Sequence, residues 1–451
     1  MAGASSPRRP LGLFEAFGVE LEYMLVDAER LDTAPVADEL LAAAQRAAGR
    51  ADLAEAHEGD LELGPITWSN ELCLHVLELK TSEPAATLEG LAGRFHESLG
   101  VARATLGALA TDPPPTSAAA GRENSAAASP RRRARARLLG GAMHPWMDPF
   151  EERRLWPHGY GEVYRLFDRI FDCRGHGWAN LQSAHLNLPF ASAERADDEF
   201  GRLHAAIRLI LPILPALAAS SPFMEGVATG RLDSRLDVYR RNSGRLPAVA
   251  GRVIPEPVYT AEAYAREIYD PIDAAIGPFD PQGLLDHAWV NARGAIARFD
   301  RGAIEIRVLD VQESPAADLA ILAMVVAALR ALTAERWIDL RAQQAFGVEP
   351  LAAILSRAID AAETALIDDP KYLGAFGAGP GPMTAGALWD RLVEACPPPA
   401  EFAPAARVIL GAGPLARRLL RAAGPAPDRA ALTRLYRRLG DCLDEGGLFV
   451  P

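Results

Sequence analysis

A chain of 451 residues, 49% hydrophobic and 24% charged, is long enough for two or three domains, or for one large sheet-based unit with a helical addition. Its net charge of −12 repels phosphate backbones and argues against nucleic acid as a general partner, while nucleotides stay admissible because a bound metal reverses the local field. Only Lys80 and Lys371 are lysines among 47 basic residues; anion clamps must therefore be built from arginine, and a Walker A loop is excluded because neither lysine follows a G-x-x-x-x-G run.

Cys73, Cys173, Cys396 and Cys442 are scattered, the pattern of free thiols in a reducing compartment. No apolar signal-peptide core follows the polar, basic N-terminus. The best apolar run, Ile207 to Ala219, is short and interrupted by Pro212 and Pro215, so a buried helix is expected and no membrane span. These features predict a soluble, cytoplasmic protein.

In chain order, residues 11–30 open with an apolar strand carrying two acids, Gly18-Val19-Glu20-Leu21-Glu22-Tyr23. Ala/Leu-rich helices are predicted over 35–50 and 84–111, with a strand from Leu72 to Thr81 between them that contains Glu78. Residues 111–137, with a proline triplet and an Ala/Ser run, read as a low-complexity loop. Its cluster Arg131, Arg132 and Arg133 has the look of a nucleic-acid arm, which the overall acidity argues against.

After an aromatic turn at residues 143–149, a helix near 160–172 leads through Arg174-Gly175-His176-Gly177 into a strand. There Ser183, His185 and Asn187 share one face, and Ala184, Leu186 and Leu188 the other. Residues 194–219 read as helical. Residues 295–299 and 303–309 flank Asp300-Arg301-Gly302, a hairpin loop with its glycine placed for a bulge. A strong helix follows over 316–337. Beyond about 340 the chain reads as helices separated by Gly/Pro-rich stretches, without a metal-like or catalytic grouping.

Three of these strands carry polar pairs at i, i+2: Glu20 with Glu22, His185 with Asn187, and Glu305 with Arg307. A solvated outer face would carry a looser mixture of polar residues. Adjacent carboxylates repel one another unless a cation or proton compensates, and carboxylates with an imidazole on neighbouring strands can hold hard cations such as Mg²⁺. Arg307 can present its planar fork to a phosphoryl group. Glu78, inside an apolar strand, is costly to bury without a partner and joins the candidate ligands. Glu71 lies an odd number of residues away, so a single regular strand would turn it to the opposite face.

At these residues the chain resembles the glutamate–cysteine ligase family, within the glutamine synthetase-like superfamily of carboxylate–amine ligases. The similar segments are Gly18-Val19-Glu20-Leu21-Glu22, Val76-Leu77-Glu78-Leu79-Lys80-Thr81, Met143-His144-Pro145, His185-Leu186-Asn187, Ser220-Ser221-Pro222-Phe223 and Ile304-Glu305-Ile306-Arg307-Val308-Leu309-Asp310. Together they span roughly residues 14–340.

The resemblance implies an α+β fold: a glutamine synthetase-like catalytic domain over residues 11–340, mainly a curved antiparallel sheet with flanking helices, followed by a C-terminal helical region over 341–451. It implies two or three Mg²⁺ (or Mn²⁺) ions held by Glu20, Glu22, Glu78, His185 and Glu305. Glu20, Glu305 and Arg307 would be catalytic, with ATP as co-substrate and Arg307 at its γ-phosphoryl group. A substrate carboxylate would become an acyl phosphate, and an amine such as cysteine would displace the phosphate. Substrate binding falls to Arg174, Asn187, Arg235, Tyr239 and Arg240, with Glu71, His144 and Arg293 as further candidates. The partners are then small molecules (ATP, an amino acid or other carboxylate, an amine), with homo-oligomerisation left open. A guanidino-type phosphotransferase, an idle binding protein and a metal-dependent amide hydrolase are the competing readings.

Overall fold

In a computed structural model of the chain, the described residues are 10–57, 59–111, 136–190 and 196–451. Nearly all of the low-complexity stretch, with Arg131, Arg132 and Arg133, lies outside them. The strands are β1 (Gly18–Asp27), β2 (Leu61–Leu63), β3 (Ile66–Asn70), β4 (Val76–Thr81), β5 (Ala136–Leu139), β6 (Ser183–Pro189), β7 (Phe223–Met224), β8 (Val227–Ala228), β9 (Ala295–Arg298), β10 (Ala303–Asp310), β11 (Leu366–Ile367) and β12 (Met383–Thr384). Eight of them form one sheet in the order β2-β3-β4-β1-β6-β10-β9, with β5 also on β1, and every pairing is antiparallel. The expected α+β architecture, an antiparallel sheet with flanking helices and further helices at the C-terminus, is the one the chain adopts.

Alternation within each strand divides the sheet's two faces. Val19, Leu21, Tyr23, Leu77, Leu79, Leu186, Leu188, Ile304 and Ile306 are fully buried in one large core. Helices Ala37–Ala47, Leu91–Thr111, Ala196–Ile210 and Pro315–Thr333 belong to this layer. The helix Pro315–Thr333, rather than Ile207–Ala219, is the one long and apolar enough to cross a membrane among the described residues. Most of its surface is buried inside the protein, as in a central core helix.

The other face of β1 changes character along its length. Glu20 and Glu22 come first; Met24 and Val26 follow and pack with Leu415, Leu419, Leu432, Tyr436 and Leu439. Those residues come from the C-terminal helices Leu415–Ala423 and Arg429–Glu445. The second helix starts at Asp428, whose side chain accepts from the Ala431 amide. It presents Leu432, Leu435, Tyr436, Leu439 and Leu443 as one apolar stripe. The C-terminal helices therefore cover half of the face on which the acids lie.

Several boundaries move. The helix expected from 84 starts at Leu91, because residues 84–90 form a turn in which Thr87 Oγ1 accepts from the Glu89 amide and Gly90 has φ +76°. The strand expected from Leu72 starts at Val76, since Cys73 bridges to Leu155 outside the sheet. The β2–β3 hairpin, turning on Gly64-Pro65 with Gly64 at φ +66°, was not anticipated.

Candidate active site

The register of five neighbouring strands assembles the site. Glu20 of β1 stands opposite Lys80 of β4 and His185 of β6. Glu22 stands opposite Glu78, Glu78 opposite Ser69 of β3, and Glu305 of β10 opposite Asn187. Residues separated by up to 285 positions in sequence thus become lateral neighbours on one face of one sheet. The approach is close. A Cβ on Gly18 would lie 2.9 Å from Asn187 Cβ, so a side chain there would displace the group that donates from Nδ2 to Glu20 Oε1 at 2.9 Å.

His185 is the hub. Its Nδ1 lies 3.1 Å from Glu20 Oε2 and 3.6 Å from Glu305 Oε1, and its Nε2 lies 2.9 Å from Ser183 Oγ and 3.6 Å from Glu22 Oε1. Ser183 fixes Glu22 by donating from its amide at 2.7 Å and from its hydroxyl at 3.1 Å. Ser69 donates to Glu78, and Lys80 Nζ bridges Glu78 at 3.2 Å and Asp60 at 3.0 Å.

On the β10 side a bulge lies between Ile306 and Leu309, inserting one extra residue opposite β6. Bulges re-aim side chains, and here Arg307 Nε lies 3.3 Å from Glu305 Oε1. Arg298, on β9, lies 4.0 Å from Glu305 Oε2.

These groups line a cavity of about 1010 Å³ whose walls include Glu20, Glu71, Glu78, His185, Glu305 and Arg307. Glu22, on the same face of β1 as Glu20, is buried beside this wall. The local charge is unbalanced. Burial pushes Glu78 well above the usual carboxylate range, and Glu20 and Glu71 add to the push. Burial and Glu22 together raise Glu71 to about 7. Burial also works against ionised Glu20, but the hydrogen bond and charge of His185 outweigh it and hold Glu20 far below its ordinary value. Burial works against protonated His185 too, yet Glu20, Glu22 and Glu305 raise it to about 9.

Two sets of ligand atoms lie within 4.8 Å of one another: Glu20, Glu78 and His185, and Glu22, Glu71 and Glu78. This donor set of carboxylates with one imidazole suits hard divalent cations. Such a cation would offset the burial and the neighbouring carboxylate charge that lift Glu71 and Glu78.

Glu71 corrects the parity expectation. β3 ends at Asn70 and β4 begins at Val76, so Glu71 and Glu78 do not share a strand. Glu71 enters the cluster from the end of β3. Lys80 and Arg298 were not singled out in sequence. Lys80 was legible, being two residues beyond Glu78 on the same strand; Arg298 needed the hairpin register that sets it opposite Ala303.

The substrate-binding candidates scatter. Asn187 is in the cavity wall. Arg235 is buried behind β10, where it pairs with Asp310 at 3.2 Å and donates to the Arg307 carbonyl at 2.9 Å. The Tyr239 ring lies under the Arg235 guanidinium, 5.8 Å away. Arg174 is on the surface, paired with Asp172. Arg240 donates to Asp237 and Ser356 and lines a different cavity with Arg252 and Glu349. Arg293 is buried, and Glu256 accepts from its guanidinium through both carboxylate oxygens. His144 is buried too, its Nε2 2.6 Å from the Leu31 carbonyl. Arg174, Arg240 and Arg293 therefore have carboxylate partners of their own and lie outside the cavity; His144 braces a turn.

A family model described as glutamate–cysteine ligase family 2 matches residues 16–373. An uncharacterized protein of Archaeoglobus fulgidus is 31% identical over 325 residues, 71% of this chain and 76% of that one. A putative glutamate–cysteine ligase 2-3 of Rubrobacter xylanophilus is 25% identical over 309 residues, 68% of this chain and 67% of that one. Among solved structures, the glutamate–cysteine ligase of Francisella tularensis in complex with AMP superposes with a TM-score of 0.60 at 13% identity, covering 97% of this chain and 90% of that one. At that identity the likeness is one of fold.

Proposed function

Since this chain belongs to the glutamate–cysteine ligase family 2, we propose that it is an ATP- and Mg²⁺-dependent carboxylate–amine ligase acting on a glutamate-like carboxylate. The observation that carries this reading is the convergence of Glu20, Glu78, His185 and Glu305 with Arg307 in the wall of one cavity, Glu22 lying beside Glu78 and His185. Phosphoryl transfer depends on positioning and charge neutralisation more than on a protein nucleophile, and this arrangement offers both. The AMP held by the Francisella tularensis enzyme is consistent with a nucleotide as co-substrate.

Glu20, Glu22, Glu71, Glu78, His185 and Glu305 would hold the divalent cations, which when bound neutralise phosphate charge and orient the nucleotide. The remaining work belongs to the protein's own groups. Arg307, held by Glu305, faces the transferring phosphoryl group and stabilises the charge that spreads over its oxygens. The substrate carboxylate oxygen bonds to the γ-phosphorus as the bond to ADP breaks. The amine nitrogen then bonds to the acyl carbon, phosphate leaves, and the nitrogen gives up a proton. Asn187 keeps Glu20 oriented throughout, and Arg235 holds the backbone at Arg307. Arg298, in the wall and no closer than 3.9 Å to any carboxylate, takes over the carboxylate-clamping role first expected of Arg174, Arg240 and Arg293, while Lys80 stays paired with Glu78 and Asp60.

The test is an ADP-release assay with Mg²⁺, ATP, glutamate and a panel of amines that includes cysteine, paired with mass spectrometry of the product. Amine-dependent ADP release with a new amide is expected. ADP release that ignores the amine would point to a phosphotransferase, and product formation without ATP to a hydrolase; either overturns the ligase reading.

A further inference from the structure

Away from the cavity, three residues from separate segments meet: Asp38 in the first turn of the helix Ala37–Ala47, His57 at the C-terminal cap of the helix Ala51–Ala56, and His158 in the loop before the helix Gly161–Phe171. One potential ligand atom from each lies within 4.8 Å of the others. We infer that Asp38, His57 and His158 form a second cation site, specific for an imidazole-preferring divalent ion of the zinc type and separate from the acidic centre.

Two observations support it. His158 Nε2 lies 3.0 Å from Asp38 Oδ2. Metal–ligand bonds of about 2.0–2.1 Å in tetrahedral geometry put neighbouring ligand atoms roughly 3.3 Å apart, so this edge needs little adjustment. The rings of His57 and His158 are stacked, 4.2 Å between centroids and 8° from parallel, so one ring must turn for both in-plane lone pairs to meet a single ion. His57 Nδ1 is buried without a hydrogen-bond partner, although such atoms are normally paired.

The charges around the site fit a cation of this type. Burial, then the neighbouring His158, lowers the His57 imidazole below its ordinary value. Asp38 contributes the negative charge and Arg46 is the opposing positive one. The other Asp38 oxygen accepts from the Glu39 amide at 2.9 Å, which holds the carboxylate in place. Trp156 braces His158 edge-on at 5.2 Å. Two imidazoles and one carboxylate, partly exposed, leave a fourth position for water. The acidic centre, dominated by carboxylates, selects hard cations instead. An ion here would tie the helix Ala37–Ala47 to the loop that accepts Leu74 N at Arg154 O and donates Trp156 N to Leu72 O, next to Glu71.

The test titrates the chelator-stripped full chain with Co²⁺ in millimolar Mg²⁺, following visible absorption, and then displaces Co²⁺ with Zn²⁺. One equivalent with a four-coordinate spectrum is expected in the wild type and in Glu20→Gln. In His57→Gln and His158→Gln, each checked for folding by circular dichroism, affinity should fall about 100-fold or more while ATP turnover in Mg²⁺ continues. Co²⁺ binding that is unchanged in both histidine variants, or lost in Glu20→Gln instead, overturns the inference. Should one histidine variant misfold, Asp38→Asn carries the same expectation.

Discussion

One face of β1 has two fates. Glu20 and Glu22 belong to the cluster at the cavity, whereas Met24 and Val26, next along the same face, lie beneath the C-terminal helices. The two halves share a strand, a twist and a periodicity. They differ in what covers them, and that decides their chemistry. Where Tyr436 and Leu439 close over the strand, apolar side chains are buried at a gain of roughly 25 cal/mol per Å². Where the helices stop short, carboxylates accumulate at an energetic cost that only a cation or protons relieve.

The comparison breaks most sharply at its polar end. Glu20→Gln removes the charge that His185 and Asn187 are set to hold, and ADP formation should fall by at least about 10³-fold, near 4 kcal/mol of transition-state stabilisation. Cooperative thermal unfolding should persist, because the core on the other side of β1 is untouched. A variant that turns over ATP normally would remove Glu20 from the proposed ligand set.

At the covered end the expected loss is in stability. Arg418 of the helix Leu415–Ala423 is fully buried against Glu313, just beyond β10, and also donates to the Phe449 and Gly413 carbonyls. Arg418→Met leaves the Glu313 carboxylate uncompensated in the interior and should destabilise the protein by roughly 3–5 kcal/mol, read as a lower denaturant midpoint. Turnover per folded molecule should stay within a few-fold of wild type. A large loss of turnover with unchanged stability would mean that the C-terminal helices act on the chemistry as well as on the fold.

What was legible in the sequence follows from the same contrast. Alternation in β1, β6 and β10 showed which side chains share a face, so Glu20 with Glu22, His185 with Asn187 and Glu305 with Arg307 could be paired by inspection. Lateral relations depend on register, and register is set by packing across the sheet. The Glu22–Glu78 juxtaposition and the place of Arg298 were therefore out of reach. Glu71 is misplaced by simple alternation because the strand is not continuous there: Cys73 bridges to Leu155 instead. Arginines were the least legible residues. Arg174, Arg240 and Arg293 looked free in sequence, but Asp172, Asp237 and Glu256 each claim one. The role of the C-terminal helices was invisible, since an amphipathic stripe reveals that a face is buried without revealing against what.

The smallest expected effect measures the strain at the polar end directly. With chelator present, Glu71 holds its proton in the folded chain up to about pH 7, whereas the ordinary glutamate value is 4.5. Between those values the folded state binds more protons than the unfolded one, so stability must fall as pH rises through this window. Glu71→Gln removes the titrating group. It should flatten that slope and leave the metal-free protein about 1–2 kcal/mol more stable at pH 8, solvent in the open cavity screening the rest of the effect. Saturating Mg²⁺ should raise the wild-type unfolding midpoint more than that of the variant, because the cation and the substitution relieve the same repulsion. Equal slopes in wild type and variant would show that Glu71 does not share the carboxylate cluster's charge, and would return it to the ordinary surface acids.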